Sequence, residues 1–100
     1  MIRHVAVFRF APSFTDAQRD AWMAMLRSLP EQIPELRRMS VGVDVLGGPS
    51  SNELAIVADF DDLEGLDAYT RHPAHAEVLA ISTPVKVSLA TVDFEVPDPS

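Results

Sequence analysis

Four side chains in this sequence could handle a proton at suggestive positions: His4, Tyr69, His72 and His75. They are all three histidines and the single tyrosine of the chain. The run Tyr69-Thr70-Arg71-His72-Pro73-Ala74-His75 gathers three of them around a proline. An imidazole titrates near neutrality and can accept a proton. A phenol can donate a hydrogen bond to an oxygen that is gaining charge. On one unbroken helix Tyr69 and His75 would point roughly 240° apart, at ~100° per residue. Pro73 lifts that constraint. It pushes His72 out of the helical region and serves well as the first residue of a new helix. The second segment can then fold back on the first. The same pair also fits a structural role, with Tyr69 on a helix rim and His75 as a packing residue.

His72 and His75 stand three apart, and with His4 they could approach a three-histidine metal site. The pattern lacks a carboxylate at a recognised spacing, since Glu77 does not supply one. His72, as the residue before Pro73, reads as an N-cap turned outward. No metal is expected. His4 shares its strand face with Ile2, Ala6, Phe8 and Phe10. It reads either as a core histidine bonded to backbone or as a polar group at a pocket wall. Asp93, between Val92 and Phe94, reads as a strand-end acid or the partner of an arginine such as Arg3.

The elements that must position these residues follow from periodicity. Residues 2–11 alternate and predict a strand that Pro12 ends. Thr15-Asp16-Ala17-Gln18 matches a capping box. Ala21, Trp22, Met25, Leu26 and Leu29 follow at helical spacing, and Pro30 and Pro34 are expected to stop that helix. Residues 36–46 predict a second strand, with Met39, Val41, Val43 and Val45 on one face. Gly47 to Asn52 read as a loop, and residues 53–60 as a third strand. Asp61 or Asp62 caps a helix ending near Arg71. A short helix spans 73–82, and residues 85–96 form the last strand. The order β-α-β-β-α-(α)-β predicts an α+β, ferredoxin-like unit: a four-stranded antiparallel sheet with helices on one face. Residues 1–96 are read as one domain and 97–100 as a flexible tail.

Composition narrows the function. The chain carries a net charge of -7, is 47% hydrophobic and contains no cysteine. A thiol nucleophile, a thiolate metal site and a disulfide framework are excluded. The acidic balance argues against nucleic acid as a partner. The sole basic doublet, Arg37-Arg38, reads as a solvent-facing strand cap. No apolar run reaches the ~20 residues of a membrane span, and the N-terminus enters a strand directly. A soluble cytoplasmic protein is expected, with no cofactor.

The far face of the sheet should be polar if it faced water. Beside Arg3, Arg9 and Asp59 it instead carries Val5, Val7, Ala55, Val57, Ala90, Val92, Phe94 and Val96. Such a patch exceeds what a monomer usually exposes, so a two-fold homodimer packed sheet on sheet is expected.

The opening MIRHVAVFRF, the segment LPEQIPELRRMSVG (29–42), the run AYTRHPAH (68–75) and the closing VDFEV (92–96) together resemble the stress-responsive A/B barrel, or Dabb, family. The resemblance spans nearly the whole chain and implies a dimeric α+β barrel. Olivetolic acid cyclase-type members fold a linear poly-β-keto thioester by aldol condensation. Against them, the resemblance implies a catalytic His at His75 and Tyr at Tyr69, with His4 in the active site. It implies pocket-lining positions at Ala6, Phe8, Trp22, Met23, Leu26, Ile56, Val78, Leu89 and Thr91. Phe8 and Trp22 would reshape that pocket, and Leu26 stands where such members have an aromatic hydroxyl. A cofactor-free cyclase acting on a β-keto or polyketide-like substrate is the leading expectation. A non-catalytic stress-related or small-ligand-binding protein is the other.

Overall fold

A computed structural model describes residues 1–97. The tail expected at 97–100 lies outside them apart from Pro97. The elements are β1 (Ile2–Phe10), α1 (Asp16–Gln32), β2 (Leu36–Val43), β3 (Leu54–Phe60), α2 (Leu63–Arg71), α3 (Pro73–Ser82) and β4 (Lys86–Glu95), with a 3-10 turn at Thr83–Val85. The strands form one antiparallel sheet in the order β2-β3-β1-β4. This is the ferredoxin-like α+β arrangement expected from the periodicity.

Local chemistry explains the boundaries. Thr15 and Gln18 form the reciprocal capping box at the start of α1, which satisfies two backbone donors the helix leaves unpaired. Asp62 accepts from the Gly65 N–H and caps α2. The hairpin after β2 turns at Gly47, whose φ of 68° suits a residue without Cβ.

Several boundaries differ from the sequence expectation. Pro30 does not stop α1 but sits inside its last turn. Leu29 and Ile33, 1% and 0% exposed, anchor the chain on both sides of it. Their burial outweighs the single helical bond that proline forfeits. β2 ends at Val43, and Val45 is fully exposed beyond it. There Asp44 accepts from the Gly47 N–H at 2.6 Å and turns the chain before Val45 can pair. Val85 lies in the 3-10 turn rather than in β4.

The helices cover one face of β2, β3 and β1. Between them lies a core of Phe8, Phe10, Phe14, Trp22, Leu26, Leu29, Ile56, Phe60 and Val78, among others. β4 pairs with β1 and has no helix packed extensively on it. Its helix-side residues Val87 and Leu89 remain 66% and 43% exposed. On the opposite face Val92 and Phe94 are 55% and 43% exposed. Arg3 does not reach Asp93; it holds Asp59 through two hydrogen bonds of 2.8 and 3.1 Å. The register explains this: Arg3 stands opposite Asp59, and Asp93 stands opposite His4 on the other face. Among the described residues no helix is long and apolar enough to cross a membrane.

Candidate functional site

The site begins with the break between α2 and α3. His72 takes an extended conformation, φ -71° and ψ 139°, and its Nδ1 accepts from the Ala74 N–H at 3.0 Å. It is therefore the N-cap of α3, with that nitrogen occupied. Because α2 stops at Arg71, its last carbonyls lack helical donors. His75, one turn into α3, points back and bonds the Thr70 carbonyl through Nδ1 at 3.2 Å. A carbonyl only accepts, so Nδ1 carries the proton and Nε2 is left with its lone pair.

That return brings His75 onto Tyr69, with ring centroids 4.3 Å apart. On its other side Tyr69 meets His4 at 6.4 Å and Phe60 at 5.1 Å. Tyr69 is 2% exposed, yet its hydroxyl has no protein hydrogen-bond partner among the described residues. It is not a sealed orphan either: Arg19 Nε is the fully buried unpartnered side-chain atom among those residues. His4 is fixed from β4, its Nδ1 lying 2.5 Å from Asp93 Oδ1. A carboxylate also only accepts, so Nδ1 of His4 carries a proton and Nε2 is the nitrogen left for a ligand.

Burial sets the protonation states. It pushes the Tyr69 phenol up to about 12, because the phenolate would lose its water. It pushes His75 below the ordinary imidazole value; the Thr70 carbonyl opposes that shift, and nearby His4 reinforces it. The site thus holds a neutral phenol beside an imidazole that stays neutral into mild acid. It has a hydrogen-bond donor and a base side by side.

The remaining expected site residues divide into two groups. Ala6, Phe8, Trp22, Met23, Leu26, Ile56 and Val78 are all buried in the core. Phe8 meets Trp22 edge-on at 5.5 Å, and the Trp22 indole donates to the Val78 carbonyl at 3.0 Å. A hollow wide enough for water leaves accessible surface on its walls. Trp22, Leu26 and Val78 keep only 1, 1 and 2% of theirs. Leu89 and Thr91, by contrast, are exposed on β4, opposite Phe8 and Ala6. Concavities of about 490 Å3 lie elsewhere, one beside Glu35, Asp61 and Glu64, another beside Arg3, Arg38 and Val96. His4 and His75, both partly exposed, thus flank the buried Tyr69 at the edge of a packed interior.

Asp93 was read from the sequence as a strand-end acid or a partner of Arg3, and its place beside His4 was missed. Its signal was the alternation that puts it on the same face as Thr91 and Leu89, but its opposition to His4 depends on register. Among the described residues no group of three or more His, Cys, Asp or Glu is placed to hold a metal.

Comparison with known proteins agrees with this architecture. A dimeric ferredoxin-like protein of unknown function from Thermobifida fusca is 36% identical over 95% of this chain and 90% of its own, with a TM-score of 0.86. A dimeric protein of unknown function from Bacteroides fragilis is 25% identical over 95% of each chain, with a TM-score of 0.77. The hydroxynitrile lyase of Passiflora edulis shares the fold at 17% identity and a TM-score of 0.83, over 99% of this chain and 95% of that one. Among curated proteins none matches. The sequence pattern of the Stress responsive A/B Barrel Domain, Dabb, matches residues 2–96. Helices on one face of a β2-β3-β1-β4 sheet, and that match across nearly the full length, place the chain in the Dabb family.

Proposed function

We propose that this protein is a cofactor-free catalyst of proton transfer next to a carbonyl, of the kind that begins an aldol condensation or a cyclisation of a β-keto substrate. The observation that carries the reading is the Tyr69 phenol: nearly buried, without a hydrogen-bond partner among the described residues, and flanked by the His75 and His4 rings with centroids 4.3 and 6.4 Å away. His75 Nε2 removes the proton from the carbon between two carbonyls. The C–H electron pair moves to the carbonyl oxygen, which becomes an enolate. The Tyr69 O–H donates to that oxygen as charge builds on it. His4, held by Asp93, orients the second carbonyl. Return of the proton, or attack of the enolate carbon on another carbonyl, completes the step.

The working form in this proposal is a homodimer packed through the outer sheet face. Val92 and Phe94 stay about half exposed on a strand edge of a single chain. The 36%-identical relative from Thermobifida fusca is dimeric. Covering this face removes apolar surface from water at roughly 25 cal/mol per Å2 before association costs. A cysteine-free chain suits the cytoplasm as its location.

A second reading, a non-catalytic small-ligand-binding protein, draws on the packed interior around Trp22. Exchange of the central proton of a β-diketone for deuterium separates the two. The catalytic reading expects the protein to accelerate exchange, and His75→Ala and Tyr69→Phe each to lower it by about 10²-fold or more with the fold intact. Exchange that is equally fast in both variants removes the assignment.

A further inference from the structure

The ring cluster explains how protons could move but not how large a molecule could enter. The interior behind it supplies that answer. Along β1 the helix-facing residues run His4, Ala6, Phe8 and Phe10, each about 7 Å from the next. A ligand tail leaving His4 along this face would pass over the Ala6 methyl and meet Phe8. There Phe8 and Phe10 stack at 5.5 Å, and Trp22 closes on both edge-on at the same separation. On the opposite wall, Val78 lies one helical turn beyond His75, and its carbonyl takes the Trp22 indole N–H at 3.0 Å. Trp22 thus bridges α1 to α3 one turn behind the proposed base. Leu26, one turn further along α1, is 1% exposed and leaves no gap beside it. The way inward is stopped by a tryptophan that is hydrogen-bonded in place.

Resting on the proton-transfer reading above, we infer that Trp22 sets substrate length, and that the site takes short β-dicarbonyl compounds without an alkyl tail. In this assignment a carbonyl pair rests against His4, Tyr69 and His75. A longer chain has no interior to occupy and must lie over the open helix-side face of β4, where Leu89 and Val87 leave it largely in water. Trp22 is a specificity-determining residue in this assignment; it touches no reacting atom.

The test uses 2,4-pentanedione and 2,4-decanedione, which share a reactive head and differ by a tail. Binding is followed through the His75 ring resonances. A tail that enters an apolar interior gains roughly fourfold in affinity per buried methylene, so the hexyl group of 2,4-decanedione would bind on the order of a thousandfold tighter than a methyl. The parent protein should bind the two diketones within about threefold of each other. Trp22→Ala should bind 2,4-decanedione at least tenfold tighter than it binds 2,4-pentanedione. Phe8→Leu, a milder opening from the sheet side, should shift preference in the same direction if Trp22→Ala fails to fold. A parent protein that binds the long diketone more than tenfold tighter, with tail-to-Trp22 contacts in nuclear Overhauser spectra, overturns the inference. If neither diketone moves His75, the catalytic reading falls, and the plug is then tested alone with xenon. Xenon should perturb the Leu26 and Val78 methyls in the opened variant and leave them unmoved in the parent; perturbation in the parent overturns it.

Discussion

His4 on β1 and Asp93 on β4 stand opposite each other in the sheet, and the His4 Nδ1 lies 2.5 Å from the Asp93 carboxylate. The pair lies near solvent, with side chains 18% and 38% exposed, so its net contribution to stability is small, below about 1 kcal/mol. Its effect falls on the orientation of His4. Asp93→Asn should leave the melting temperature within a few degrees and lower diketone exchange about tenfold, because an amide can present either an acceptor or a donor to the ring. Thermal denaturation and exchange rates measured on the same preparation check both halves. A large loss of stability with unchanged exchange would make the pair structural.

His75 governs the acid side of the pH profile. Burial lowers its pKa from the ordinary imidazole value of 6.5. As a base it must be neutral, so activity should persist below pH 6.5 and fall only at more acid pH. The linkage runs the same way. Between the folded and unfolded pKa values the unfolded chain binds more protons, so stability rises with pH there. The contribution is complete above pH 6.5 and is lost as pH falls through the folded value. Nuclear magnetic resonance titration of the His75 ring, with His75→Gln to flatten the acid loss, measures it.

Tyr69 should remain a phenol well into alkali. Its pKa is pushed up to about 12 by burial. It is the sole tyrosine, so phenolate absorbance reports on it without ambiguity. No phenolate signal should develop near pH 10 while the fold holds. Above pH 10 the unfolded chain releases the proton first, and stability should decline toward pH 12. Absorbance that rises with an ordinary phenol midpoint in folded protein would show that the ring is wetter than its 2% exposure implies.

The outer sheet face should govern assembly. Placing a charge at Val92 or Phe94, as Val92→Asp or Phe94→Asp, should shift the proposed dimer toward single chains at micromolar concentration. Sedimentation equilibrium reads this directly. Removing Asp59 acts differently: it is 2% exposed and holds Arg3. Asp59→Ala should destabilise the fold, since it removes the carboxylate that holds the Arg3 guanidinium on the sheet. Denaturant midpoints of the variant and parent test that direction.

The element list was legible because its signals are local. Alternation marked β1, the capping box marked the start of α1, and Pro73 marked both the end of α2 and the start of α3. The proximity of Tyr69 and His75 was foreseeable as a freedom that Pro73 allowed. The return itself needed Thr70 to offer a carbonyl left unpaired by the end of α2. Pro30 misled because a proline's local cost was weighed without the burial of Leu29 and Ile33 around it. Asp93 was assigned to Arg3 as one option because charge alone does not say which residue lies opposite. Register does, and register emerges only when strands eighty-odd residues apart are paired across their whole length.

By itself, the sequence determined the order of helices and strands, the apolar character of both sheet faces, and the presence of a base and a phenol on either side of a chain break. These are written in spacings of two to four residues, where backbone sterics and side-chain periodicity act directly. Tertiary structure alone decided that Asp93 holds His4, that Arg3 holds Asp59, and that Trp22 fills the space behind His75. Each of those depends on how remote segments share one volume, and close packing leaves a side chain's role undetermined until its neighbours are in place.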